Sequence, residues 1–152
     1  MYSIVETTPE HIEELSETMR KVDVDEVWAA GHNTPRHALE LSMKLSEHSF
    51  TGLVDGKVMC IFGVTPMSPI SDTGVPWLLG SDLIGEHKHV FLRMNKVYVN
   101  EIKKRFGYLV NYVDNRNKKT IQWLRWLGFK LDDPAPYGPD GVLFRKFEYR
   151  RD

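Results

Sequence analysis

His87 and His89 stand one residue apart in the run Asp82-Leu83-Ile84-Gly85-Glu86-His87-Lys88-His89. Imidazoles are frequent metal ligands, but this spacing suits a strand and not one face of a helix. No cysteine or third histidine is placed to complete a tetrahedral set, so no metal centre is expected. His32 and His37 merely flank a helix start. Cys60 is the single cysteine. Within Val58-Met59-Cys60-Ile61-Phe62 it reads as a buried, inert thiol, because apolar surroundings disfavour the nucleophilic thiolate. No Gly-x-Ser-x-Gly elbow, P-loop or cysteine-based triad is present. Gly85 has two readings. It is a plain strand-to-helix turn, or a place where backbone N–H groups and a helix N-terminus approach an anion, with Lys88 adding charge.

The elements that must position these residues follow from pattern. Residues 2 to 6 form a first strand. Thr8 caps a helix with Pro9 in its first turn, its inner stripe being Ile12, Leu15, Met19 and Val22. Asp23 to Asn33 is part helix, part loop. Thr34-Pro35 opens another helix, with Ala38, Leu41 and Leu45 facing in. Asp55-Gly56 between Phe50–Val54 and Lys57–Val64 marks a hairpin whose tight turn requires positive φ. After a Pro/Gly loop, Val75 to Ser81 is a strand with Pro76 at its start. A long helix over 87 to 106 carries the stripe Val90, Phe91, Met94, Val97, Tyr98, Ile102 and Phe106, and Gly107 stops it. Tyr108 to Val113 is a strand. Asn117 to Phe129 is a short helix with Ile121, Leu124 and Leu127 on one face and a Gly128-Phe129 exit. Trp123 and Trp126 cannot both share that face, so at least one points outward. Asp132 to Gly141 is a loop and Val142 to Tyr149 a last strand.

This order, β-α-α-β-β-β-α-β-α-β, is an α/β (α+β) arrangement in one domain. A strand–helix–strand crossover places a parallel pair within a mixed sheet, and helices cover both sheet faces. The 152 residues suit a single core, and 41% are hydrophobic. Twenty Lys and Arg against 21 Asp and Glu give a net charge of -1. That balance predicts no general attraction to nucleic acid or anionic membrane, the basic runs Lys103-Lys104-Arg105 and Arg116 to Lys119 being solvated helix ends. One cysteine permits no internal disulfide, as in a reducing cytoplasm. No leader and no membrane-spanning stretch is read from the sequence.

The element order, together with Asn117-x-x-Thr120-Ile121-x-x-Leu124-x-x-x-Gly128-Phe129, resembles the GNAT superfamily of acyl-CoA N-acyltransferases. The resemblance implies a mostly antiparallel mixed sheet with a central, splayed parallel strand pair. Acetyl-CoA would bind between Trp77–Ser81 and Leu109–Val113, and an amine acceptor would attack the thioester directly. It implies coenzyme contacts from Leu79, Gly80, Ser81, Gly85, Lys88, His89 and Asn117. Asp82 would serve as general base, or else as a cap, and Asp23, Asp25 and Glu26 would shape an acceptor site. The family's proton-donating Tyr corresponds to Leu124, which has no proton to give. Tyr112 is the substitute donor, or else a core aromatic. The Gly-rich signature is reduced to Gly85, with Glu86 beside it.

A narrower resemblance rests on Leu109 to Val113, Asn115 or Asn117, Ile121, Leu124, Leu127-Gly128 and the basic long helix. It is to GNAT-like internal virion or assembly proteins of short-tailed phages. That likeness implies a catalytically silent protein, with Trp28, Trp77, Trp123 and Trp126 as anchors for a phage or host protein partner. The chain would be a monomer or homodimer in the host cytoplasm or the virion.

Overall fold

A computed structural model describes residues 1–152. The elements in chain order are β1 (Tyr2–Glu6), α1 (Pro9–Thr18), α2 (Lys21–Gly31), α3 (Pro35–Leu45), β2 (Ser49–Val54), β3 (Lys57–Pro66), β4 (Thr73–Gly80), α4 (Leu83–Glu86), α5 (Lys88–Arg105), β5 (Tyr108–Asp114), α6 (Lys118–Trp126), β6 (Lys130–Leu131), β7 (Ala135–Tyr137) and β8 (Val142–Arg150). One sheet runs β1-β2-β3-β4-β5-β8-β6, with β7 added to β8. Every pairing is antiparallel except β4 with β5. The mixed sheet with one parallel pair is therefore present.

Local chemistry explains the element ends. Thr8 accepts from the His11 N–H at 3.3 Å, and the His11 ring accepts the Thr8 N–H at 3.0 Å, a reciprocal cap. Asp55 and Gly56 both adopt positive φ, 50° and 79°, in the β2–β3 turn. Gly128, at φ 96°, ends α6 and sends Phe129 into the core. The sheet separates two apolar layers. Ile12, Leu15, Ala38 and Leu39 pack with Val58 and Ile61 on one face. Phe91, Met94 and Trp123 pack with Met59 and Phe62 on the other, beside a cluster around Phe106, Leu109 and Ile121.

Several sequence expectations need correction. Val22 belongs to α2 and is exposed, because α1 stops at Thr18 and the chain turns at Met19. The α3 stripe is Ala38 and Leu39, while Leu41 and Leu45 face solvent. In α5, Val99 is buried and Val97 exposed. The long helix is found as α5, Lys88–Arg105, but the short helix α4 that precedes it was not expected. The segment 132–141 contains β7, whose prolyl residue is tolerated on an edge strand. Trp123 is buried and Trp77 is half-buried, its indole N–H donating to Ser46 Oγ at 2.7 Å, so neither is an exposed anchor. Trp28 and Trp126 are exposed. Cys60 is fully buried, and that burial pushes its thiol up to about 12. No helix is long and apolar enough to cross a membrane.

The near-zero net charge conceals a segregation. Between Glu6 and Glu47, ten acids stand against four Lys or Arg; between Lys88 and Lys130, eleven Lys or Arg stand against two acids. The two helical layers thus carry opposite signs, the α5–α6 layer being cationic.

Candidate functional site

The β4–β5 pair is joined only at Thr73 with Tyr108 and Gly74 with Leu109. Beyond this vertex the strands diverge. Pro76 lies inside β4, paired with Val64 on β3, and not at the strand start as its sequence suggested. Its carbonyl accepts from Asn111 Nδ2 at 2.7 Å, so it points toward β5. In a strand, a residue's nitrogen and carbonyl face the same edge. The donor that proline lacks is therefore missing on the side where the sheet opens. Gly80 shares this parity: its N–H donates to Asp23 Oδ2 at 2.9 Å and its carbonyl accepts from the Arg20 N–H at 2.9 Å. Leu78 sits between them. By the same alternation its N–H and C=O face the gap, where no strand reaches them.

The gap is a cleft of about 170 Å³, open to solvent. Phe91, Asn95 and Tyr98 of α5 and Trp123 and Leu124 of α6 form one wall, and Arg20, Asp23 and Glu26 close its far end. Arg20 is the hub there. It holds Asp23 through contacts of 2.7 and 3.2 Å, donates to Thr120 Oγ1 at 3.3 Å, and lies 5.4 Å over the Trp123 ring. Burial raises the Asp23 carboxyl above its usual range, against the opposing pull of Arg20 and the Gly80 amide. Glu26 accepts the Asp114 N–H at 2.8 Å. Burial, aided by the neighbouring Asp23 charge, pushes Glu26 up to about 8. A carboxyl titrating there, in a cleft, suits proton transfer near neutral pH.

The sequence-derived site residues divide into three groups. Leu79, Tyr112 and Asn117 line the cleft. Asn117 is buried, and its Nδ2 has no hydrogen-bond partner. Such an orphan donor costs free energy unless a ligand satisfies it. Tyr112 is 39% exposed and its ring stacks on Tyr137 at 4.4 Å. Gly80 and Ser81 sit at the cleft end, but their polar groups are engaged inside the protein. The Ser81 hydroxyl donates toward the Val58 and Met59 carbonyls and accepts the Leu83 N–H. Asp82, Gly85, Lys88 and His89 are exposed and stand outside the cleft lining. Asp82 begins α4 without a side-chain cap bond, and His89 borders a separate groove with Arg93, Lys96 and Trp126.

Sequence reasoning grouped Glu26 with Asp23 and Asp25 but did not single it out. It did not single out Asn111 or Arg20 at all. The i, i+3 spacing of Arg20 and Asp23 at a helix start was the available signal for the hub.

No family model and no curated protein matches the chain. Solved structures do. Ard1 from Thermoplasma volcanium superposes with a TM-score of 0.75 at 16% identity, covering 99% of this chain and 98% of that one. An N-acetyltransferase from Staphylococcus aureus Mu50 gives 0.75 at 13% identity, covering 99% and 98%. A GNAT superfamily phosphinothricin acetyltransferase from Sinorhizobium meliloti, in complex with AcCoA, gives 0.74 at 12% identity, covering 99% and 88%. The fold is that of the GNAT acetyltransferases. At these identities the likeness concerns the path of the backbone, and the GNAT fold places the splayed pair of this chain at the centre of its sheet.

Proposed function

We propose that the protein is an N-acyltransferase that moves an acetyl group from acetyl-CoA to an amine. The observation that carries this reading is the convergence of two unserved polar groups on one cleft, the Leu78 peptide and the Asn117 carboxamide. A pantetheine arm, with its own amides, matches both in chemistry. The coenzyme supplies an activated thioester. The Leu78 backbone and Asn117 hold it. The cationic α5–α6 layer, including Lys88, attracts its phosphates toward the cleft mouth. Glu26, when ionised, takes the proton from the acceptor amine, in place of the Asp82 suggested by sequence. Tyr112 is the hydroxyl nearest in role to the missing donor at Leu124. The acidic α1–α3 layer favours a cationic acceptor.

A second reading, a catalytically silent protein, is supported by one specific observation: Leu124 lines the cleft where a proton donor would act; a role in virion assembly is what the narrower resemblance implies. Exposed Trp126 would then serve as a partner anchor. The test is thermal unfolding with and without acetyl-CoA. A ligand at a hundred times its dissociation constant stabilises by about 2.7 kcal/mol. An upward shift, reduced by Asn117→Ala, is expected. No shift at millimolar coenzyme, with the chain copurifying with phage particles, would replace the first reading by the second.

A further inference from the structure

We propose that Asn111 sets the length of the acyl group, closing the cleft behind acetyl. The inference rests on the coenzyme reading of the same cleft. Pairing of β4 with β5 ends at Gly74 and Leu109, and Pro76 and Asn111 each lie two residues further along. The Asn111 carboxamide crosses the gap there. Its Nδ2 donates to the Pro76 carbonyl at 2.7 Å, and its Oδ1 accepts the Tyr112 N–H at 2.8 Å. Both ends of the amide are thus bonded to the two strand edges, so the group is a fixed crossbar and not a free side chain.

The vertex below is tight. A Cβ added at Gly74 would stand 2.9 Å from the Phe106 ring and from Val64. To the α5–α6 side of the crossbar the lining turns apolar, with Ile102, Phe129 and Phe147. A thioester laid along the Leu78 edge, with its acyl end toward the vertex, directs its acyl carbons at the crossbar. An acetyl methyl ends before it. Each further methylene must displace a doubly bonded amide or lose its place against Leu78. An apolar pocket resolves one methylene by about 10–200-fold, and a polar barrier adds the loss of two hydrogen bonds.

The experiment measures dissociation constants for CoA, acetyl-CoA, propionyl-CoA and butyryl-CoA by titration calorimetry. Wild type, Asn111→Ala and Asn111→Leu are compared. Wild type should bind acetyl-CoA about tenfold or more tighter than butyryl-CoA. Asn111→Ala should bring the two within about threefold while keeping its affinity for CoA, which reports an intact fold. Asn111→Leu, similar in volume but without the bonds, should keep the acetyl preference. Wild type binding butyryl-CoA as tightly as acetyl-CoA would overturn the inference, whether or not the variants fold. So would an unchanged preference in Asn111→Ala. Absence of binding to CoA itself would overturn the coenzyme reading and this inference with it, whereas the preceding two outcomes leave that reading standing.

Discussion

Asp23 accepts the Gly80 amide at 2.9 Å, tying the first turn of α2 to the last residue of β4 across 57 positions of chain. The carboxylate is buried and is also the partner of Arg20, whose side chain is only 11% exposed. Removing one member of a buried pair strands the other. Asp23→Ala is therefore expected to destabilise the fold by about 3–5 kcal/mol, read as a lower denaturant midpoint with an unchanged slope. A loss under about 1 kcal/mol would place the pair in a solvated setting.

Glu26 supplies a pH signature. Its value in the folded chain, about 8, exceeds the ordinary 4.5. Between those limits the folded state holds a proton that the unfolded chain has released, so stability falls as pH rises through this window. By pH 7 the loss is on the order of 3 kcal/mol. Glu26→Gln keeps an acceptor for the Asp114 N–H and should flatten that slope. Urea denaturation at pH 5 and pH 8 makes the comparison; equal slopes in wild type and variant would contradict the assignment.

The same substitution bears on catalysis. A base is active when ionised, so acetyl transfer should rise with pH through about 8 in wild type. Glu26→Gln should lower kcat on the order of 10²-fold and remove that rise. Coenzyme affinity should hold, because Glu26 is assigned to the acceptor proton. Retention of the pH rise would move the base elsewhere.

Leu124 offers a gain of function. It faces the cleft from α6, in the frame of the Asn117-to-Phe129 helix. Leu124→Tyr installs a proton donor there and should raise the turnover of acetyl transfer about tenfold or more, with coenzyme affinity little changed. A slower enzyme that still binds acetyl-CoA would show that proton donation does not limit this protein.

The sequence displayed the backbone plan because that plan depends on local rules. The Asp55-Gly56 turn, the Thr8 cap and the Gly128 exit each need a specific residue type at a fixed offset. The helical stripes were less legible. Leu41, Leu45 and Val97 fit a 3.6-residue period yet face solvent, since packing against a twisted sheet selects only part of each stripe. Of the site residues named from the sequence, Leu79, Tyr112 and Asn117 line the cleft. Asn117 is where the helix pattern put it. Glu26 was expected only as one of three acids shaping an acceptor site, because its tuning comes from burial and the Asp23 charge, which only the folded chain sets. Gly80 and Ser81 stand at the right strand end, but only three-dimensional contacts reveal that Asp23, Arg20 and the β3 carbonyls already engage them.

Pro76 has a consequence for solubility. A splayed sheet is an unfinished one, with two facing edges that invite an extended peptide to slide in and pair. The prolyl ring removes one hydrogen-bond donor from the β4 edge and obstructs a third strand seeking regular ladder geometry. The protein thereby keeps an opening at the centre of its sheet while guarding it against its own unfolded copies. Replacing Pro76 by a strand-forming residue such as valine should show its cost first in the test tube on standing, as association between chains.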